Sequence, residues 1–221
     1  MSNISKVILK IENLTYFYEN QFNKIEIFKN LNFEIKEGEI IGLLGPSGSG
    51  KTTLLNCIGL LDSPKSGKIK ILNVDCSNAN DFERTKIRSK QIGFVFQSHR
   101  LLPEFSSIEN IVIPQLLLGV EKKIAFKNAS ELLKLLNLNH RAEHRPARLS
   151  GGEAQRVAIA RSVANAPKII LADEPTGNLD SASAKLVFDL LYKIAKMSKI
   201  SCLIATHNTE LAKKMDKIYS I

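Results

Sequence analysis

The sequence predicts an α/β protein with a mainly parallel sheet and helices on both faces. Short apolar strands alternate with helical segments along much of the chain. One of them, IIGLL at residues 40–44, runs straight into GPSGSGKT, and another, within IILADEP, ends on the paired acids Asp173 and Glu174. A strand that is apolar along its whole length suits a parallel sheet covered on both faces.

The elements follow in order. Residues 7–11 alternate apolar and charged side chains, and residues 28–35 repeat an apolar pattern before a turn at Lys36, Glu37 and Gly38, so the opening reads as strands. Strand 40–44 is followed by a helix over 51–61, strand alternation over 68–72 past the Pro64 and Gly67 turn, and a short apolar strand over 92–96 that ends at Gln97. From about 108 to 138 the periodicity becomes helical, with Leu132, Leu133 and Leu136 on one apolar face, as in an inserted lobe. A strand over 169–172, a helix over 182–195 and a strand over 202–205 complete the pattern.

Composition bounds the function. The 221 residues, 44% of them apolar, suffice for one domain with a subsidiary lobe and show neither linker nor repeat. No apolar stretch reaches the roughly 20 residues of a membrane-spanning helix. The N-terminal MSNISKVILKIENL has no basic segment followed by an apolar run and a small-residue cleavage site, which argues against export. Cys57, Cys76 and Cys202 are widely separated, as expected of three structural thiols in a reducing cytoplasm. A formal charge of +9 suits an anionic partner, and Arg84, Lys86, Arg88 and Lys90 form a local basic cluster. The chain has no zinc-ligand array and no interleaving of aromatic with basic residues, so no nucleic-acid partner is expected.

Gly45, Gly50, Lys51 and Thr52 satisfy the GxxxxGK[ST] phosphate-loop pattern, with Pro46, Ser47, Gly48 and Ser49 between them and Thr53 directly after. Successive backbone N–H groups at the entrance of a helix cradle phosphate oxygens, Lys51 reaches the β- and γ-phosphates, and the Thr52 hydroxyl suits magnesium. A flexible glycine loop is the bland alternative; the strand before it and the periodic helix after it favour nucleotide. At the strand terminus, Asp173 is expected to orient magnesium or its water, and Glu174 to polarise the water that attacks the terminal phosphoryl group. Gln97 is a candidate contact to the metal or the water. His207, beyond a further apolar strand, is expected to hydrogen-bond the γ-phosphate, because open parallel sheets bind ligands beyond their carboxyl ends. Taken alone, Gln97 suits a surface loop and His207 a core imidazole.

A second helix entrance appears in LSGGEAQRVAIAR. Ser150 and Glu153 form a capping-box pattern, yet Gly151 and Gly152 weaken helix initiation and expose backbone. Those glycines make sense if this entrance approaches an anion. One triphosphate already meets Lys51, so the useful arrangement is a head-to-tail pair with two-fold symmetry, in which Ser150, Gly151 and Gly152 meet the nucleotide held by another copy.

The combination GPSGSGKT, LSGGEAQRVAIAR, IILADEP, GNLD and Thr206-His207 closely resembles the nucleotide-binding subunits of ATP-binding-cassette transporters over almost the full chain. The resemblance implies a P-loop ATPase fold with an antiparallel β subdomain and an inserted α-helical subdomain. It describes residues 1–221 as one nucleotide-binding domain, with the helical lobe at about 100–165. It implies ATP and Mg2+ as cofactors, a homodimer on ATP binding, adenine stacking on Tyr18, a link from Gln97 to the membrane partner, and an Asp180 that senses the opposite subunit. The adjacent Tyr16 and Phe17 leave Tyr18 open to a core-covering role, and Asp180 also suits a helix cap. Ala154 and Asn208 depart from the commoner residues at their positions, which bears on coupling more than on ATP use.

ADEPTGNLD and FVFQSHRLLPEFSSIENI narrow the resemblance to a bacterial subgroup that includes lipoprotein-releasing, macrolide- and peptide-exporting and cell-division ATPases; LLPEFSSIENI and HRPARLSGGE look most like the lipoprotein-releasing member. That implies a peripheral ATPase on the cytoplasmic face of the inner membrane, coupled to an integral-membrane permease pair that releases outer-membrane-directed lipoproteins. The alternatives are a cell-division ATPase that regulates wall hydrolysis and a macrolide or peptide exporter ATPase. Leu101, Leu102 and Phe105 mark the expected docking segment for the membrane pair, unless they pack within the lobe.

Overall fold

The computed structural model describes residues 6–19 and 23–221, so the first five residues of the N-terminal stretch read against export lie outside it. Two long antiparallel strands, β1 (Val7–Glu19) and β2 (Lys24–Lys36), lead into β3 (Ile40–Leu44) and α1 (Lys51–Ile58). Then come β4 (Ser66–Ile71), β5 (Val74–Asp75), α2 (Asp81–Gln91) and β6 (Ile92–Val95). The middle of the chain is helical: α3 (Ser107–Leu117), α4 (Lys122–Leu135), short 3-10 turns at Asn139–Arg141 and Pro146–Arg148, and α5 (Gly151–Val163). It closes with β7 (Ile169–Asp173), α6 (Ser181–Ser198), β8 (Ser201–Thr206), α7 (Thr209–Ala212) and β9 (Lys217–Ser220).

Two sheets result. The parallel sheet has the order β6-β7-β8-β3-β9, and the antiparallel sheet the order β2-β1-β4-β5. Period-two alternation sends successive residues of each parallel strand to opposite faces. Ile40, Ile170, Ala172, Cys202 and Ile204 enter one core with α3, α4, α5 and α6. Ile41, Leu43, Ile169, Leu171, Leu203 and Ala205 enter a second core with α1 and the antiparallel sheet. Helices do lie on both faces, but α1 shares its side with four further strands.

The strands β1 and β2 extend well beyond the expected 7–11 and 28–35 because their pairing carries register shifts at 11/14, 14/16 and 16/17. Each shift breaks the alternation by which a strand is read, and Asn13 and Asn30 take φ of 50° there. The helix expected over 51–61 stops at Ile58 instead. Leu60 turns left-handed at φ 57°, and the N–H groups of Leu60 and Leu61 donate to the carbonyls of Cys57 and Asn56, a Schellman closure made without glycine at the left-handed position. The basic cluster on α2 is partly tied down: Arg84 Nε donates to Ala79 O, and Arg88 Nη1 to Leu60 O. All three cysteines are buried and free, and burial pushes the Cys57 and Cys202 thiols up to about 12, which fits inert packing.

Leu203 is fully buried in β8, between β7 and β3. Leu203→Ala is expected to lower unfolding stability by about 2–5 kcal/mol, read from the denaturation midpoint in urea.

Candidate nucleotide site

The site is built by strand register. In the parallel sheet Leu44 pairs with Thr206, Ala205 with Asp173, and Ala172 with Val95. The carboxyl ends of β3, β8, β7 and β6 are therefore level, and the segments leaving them bring the phosphate loop, His207, Asp173-Glu174 and Gln97 to one edge. Tyr18, Ser47, Gly48, Gly50, Lys51, Thr52, Thr53, Gln97, Asp173, Glu174 and His207 line a cavity of about 650 Å3 there, together with Ile27. Ile27 was not anticipated; its side chain packs where a Cβ on Gly50 would stand, and Gly50 itself has φ 95°.

A larger groove of about 930 Å3 lies along the antiparallel sheet, lined by residues such as Lys10, Asn30 and Tyr219. None of the expected site residues lines it, so size alone does not mark the chemistry.

The phosphate loop is short of negative charge. Gly50 provides no side-chain cap to α1, and α1 has no acid in its first turn. By contrast α2, α3 and α5 have full capping boxes, and α6 and α7 are capped by Asp180 and Asn208. The first N–H groups of a helix need acceptors and favour an anion, which fits phosphate oxygens. Lys51 is 6% exposed and donates Nζ to Gly45 O at 2.7 Å and Pro46 O at 2.8 Å, folded back onto the loop it would serve. Ser49 Oγ is buried without a hydrogen-bond partner among the described residues, and a Cβ on Gly45 would collide with Ser49 and the Ile221 carbonyl. Gly45, Pro46 and Ser49 thus shape the loop from behind while the others face the cavity.

The acids sit where the sheet delivers them. Asp173 Oδ2 accepts the Thr52 hydroxyl at 2.9 Å, which joins two hard oxygen ligands at the cavity. Burial holds the Asp173 carboxyl above the usual aspartate range, with neighbouring Glu174 adding repulsion and the Thr52 hydrogen bond opposing. Glu174 has φ 45°, a left-handed conformation uncommon outside glycine, while its N–H still donates to Ala205 O at 2.9 Å. Its carboxylate stands 3.8 Å from Lys51 Nζ and 3.0 Å from His207 Nδ1. His207 is therefore an exposed imidazole bonded to the catalytic candidate, and not a core histidine.

Gln97 lines the cavity, but its Nε2 donates to Asn178 Oδ1 at 2.9 Å, which ties it to the GNLD loop. Asn178 escaped the sequence reading; an amide facing another amide across 81 residues leaves no local pattern. Of the three adjacent aromatics, Tyr16 is buried and donates to Asp62 at 2.6 Å, Phe17 lies under Lys24, and Tyr18 is the one at the cavity.

Ser150, Gly151, Gly152 and Asp180 do not line this cavity. The Ser150 hydroxyl accepts Glu153 N–H, and Glu153 accepts Ser150 N–H, while Arg141 pairs with Glu153 at 2.8 Å. A Cβ on Gly151 would touch Leu179, so part of the reason for glycine is the close approach of this chain's own loop. Asp180 Oδ1 caps α6 through Ala182 N and Ser183 N, both at 3.0 Å. Leu101 departs from the docking expectation: it is buried at 8% exposure within the core, whereas Leu102 and Phe105 are each 40% exposed.

A phosphate loop at the carboxyl edge of a parallel sheet, with a paired acid and lysine facing it, defines an ATP-binding P-loop ATPase. The family model for ABC transporters matches residues 28–177, and the chain belongs to that family. Among curated relatives, the lipoprotein-releasing system ATP-binding protein LolD of Paramagnetospirillum magneticum is 49% identical over 95% of this chain and 93% of its own length. LolD of Ehrlichia ruminantium is 54% identical over 90% and 88%. A dimeric ATP-binding cassette solved in a post-hydrolysis state with ADP and Pi superposes with a TM-score of 0.89 at 40% identity, covering 97% of this chain and 94% of that one. The cbiO1 structure from Clostridium perfringens, part of an ABC transporter complex, gives 0.86 at 29% identity, with 97% and 84% covered.

Because the folded carboxyl of Asp173 titrates above its unfolded value, the native state binds the extra proton, and its stability falls as pH rises from about 4 through the folded value. Asp173→Asn is therefore expected to be more stable than the parent at neutral pH without ligand, with the gap closing below about pH 4, while turnover is lost. Thermal midpoints across pH, with ATPase assays beside them, check both.

Proposed function

We infer that this chain is the ATP-hydrolysing subunit of a lipoprotein-releasing ABC complex. The observation that carries the cargo is its near-full-length similarity to lipoprotein-releasing ATP-binding proteins; the cavity around Lys51 and Glu174 supports the chemistry. Residues 1–221 act as one nucleotide-binding domain, with its helical lobe at about 100–165.

The backbone of residues 45–53 and Lys51 bind the phosphates, Lys51 exchanging its loop carbonyls for phosphate oxygens. Tyr18 stacks on adenine beside the loop. Thr52 and Asp173 would hold Mg2+, with the Gln97 amide beside them, and their hard oxygens suit an ion that keeps waters and binds largely through nucleotide phosphates. When bound, the ion supplies Lewis-acid polarisation of the phosphoryl oxygens. Glu174 takes a proton from the attacking water as oxygen bonds to the γ-phosphorus and ADP departs. His207 holds the Glu174 carboxylate and hydrogen-bonds the γ-phosphate.

Ser150, Gly151 and Gly152 complete the nucleotide site of a second copy, and Asp180 senses that copy across the interface; their position away from this chain's own cavity supports a head-to-tail homodimer on ATP binding. No helix among the described residues is long and apolar enough to cross a membrane. The ATPase works peripherally, on the cytoplasmic face of the inner membrane, through an integral-membrane permease pair. Exposed Leu102 and Phe105 offer part of the docking surface.

Glu174→Gln is expected to lower ATP turnover by at least about 100-fold while the variant accumulates as a dimer with saturating ATP, read by light scattering. A variant that stays monomeric counts against the shared site. Gentle copurification with a lipoprotein-releasing membrane pair supports the cargo; recovery of a division membrane protein or a drug exporter instead replaces it.

A further inference from the structure

Tyr16 and Tyr18 stand two positions apart on β1 and so share one face, which looks onto α1. Phe17, between them, points away and lies under Lys24. Tyr18 meets α1 near its start: its hydroxyl lies 3.4 Å from that of Thr53, at the end of the helix that offers N–H groups to phosphate. Tyr16 meets the far end. Its hydroxyl donates to Asp62 Oδ2 at 2.6 Å, and the Asp62 N–H in turn donates to Asn56 O, in the last turn of α1. One helix therefore places both the phosphate cradle and the aromatic pair.

The two rings bear on each other. Their centroids are 5.2 Å apart at an interplanar angle of 75°, the edge contact that aromatic quadrupoles favour. Tyr18 is 52% exposed, and a hydroxyl contact of 3.4 Å is too long to hold its ring alone. Tyr16 is 6% exposed, with the Phe28 ring 5.9 Å away. The hydrogen bond to Asp62, together with burial, holds the Tyr16 hydroxyl well above the usual tyrosine range, so it stays a donor at neutral pH. A hydroxyl bonded to a carboxylate makes the stronger kind of hydrogen bond, which fixes the ring that Tyr18 leans on. An exposed ring loses torsional freedom when a base stacks on it, and a neighbour that holds it beforehand removes part of that cost.

We propose that Tyr16 and Asp62 are positioning residues for nucleotide binding: Asp62 locks the Tyr16 ring, and that ring holds Tyr18 ready for the base. The proposal rests on the reading above, in which Tyr18 stacks on adenine. Neither Tyr16 nor Asp62 lines the cavity, so both act through Tyr18. Loss of the pair leaves Lys51, Thr52 and Glu174 with their own partners, the loop carbonyls, Asp173 and His207. The pair therefore governs affinity for ATP through its base and leaves phosphoryl transfer at saturation alone.

The test is steady-state ATP hydrolysis by the complex with its membrane pair, for the parent, Tyr18→Ala, Tyr16→Phe, Asp62→Ala, Asp62→Asn and the double variant Tyr16→Phe with Tyr18→Ala, normalised to folded protein by thermal melts. Tyr18→Ala is expected to raise KM for ATP by at least about fivefold. Tyr16→Phe, which keeps the ring and loses only the hydroxyl, raises it by about 3- to 10-fold with kcat within about twofold of the parent's. Asp62→Ala does the same, and Asp62→Asn, whose amide oxygen still accepts the hydroxyl, falls between it and the parent. In the Tyr18→Ala background Tyr16→Phe adds less than about twofold, because residues that act through one another are not additive. A KM in Tyr16→Phe equal to the parent's, an equal rise with Tyr18 already removed, or a loss confined to kcat or to the melting midpoint overturns the proposal. Should Tyr16→Phe not fold, Asp62→Ala decides by the same KM-to-kcat split. A Tyr18→Ala variant with the parent's KM overturns the stacking reading on which the proposal rests; a raised KM there beside an unaltered Tyr16→Phe overturns this inference alone.

Discussion

Parallel pairing of β8 between β3 and β7 is the constraint from which the site follows. With Leu44 opposite Thr206 and Ala205 opposite Asp173, three strands end together, and the chain leaves each one at the same edge. A slip of one residue would turn Leu171 and Leu203 toward the opposite face and separate Asp173 from Thr52. The apolar surface on the two faces of the sheet thus defends the geometry of polar groups that contribute little to the core. Leu171 and Leu203 pack with α1 while Ala172 and Ile204 pack with α5 and α6, so both sides enforce one register.

Within that frame the electrostatics are incomplete without an anion. Lys51 is nearly buried, α1 begins without a side-chain cap among the described residues, and Glu174 stands within 3.8 Å of the lysine while bonded to His207. Lys51 satisfies itself on its own loop carbonyls, which phosphate oxygens can replace as acceptors. The donors around α1 are thus arranged for a ligand more negative than any side chain nearby. The entrance of α5 is different: Glu153 already caps it, and its exposed serine and glycine lie away from the cavity, as a group offered to another molecule does.

Much of this was legible in the chain because parallel strands buried on both faces read as continuous apolar runs, and because the phosphate loop joins such a run to a helix. The antiparallel strands were legible only in part. Their bulges interrupt the alternation, so the bulged pairing beyond residue 11 leaves no regular period. Leu101 looked like its exposed neighbour Leu102, yet Asn110 holds Leu102 through both its N–H and its carbonyl, and the turn drives Leu101 into the core. Ala154 and Asn208, which departed from the commoner residues, have local explanations: Ala154 is a buried contact on α5, and the Asn208 side chain caps α7 by accepting Leu211 N–H.

The sequence by itself determined the phosphate loop, the acid-terminated strand and the helix entrance with its two glycines, because each is local: a turn, a cap or a run of apolar residues written in adjacent positions. Tertiary structure decided which of three aromatics faces the nucleotide cavity, that Glu174 bonds His207, and that Gln97 meets Asn178. Those contacts join residues far apart in the chain through single side chains. They depend on strand order and register, and the two-sided core sets both.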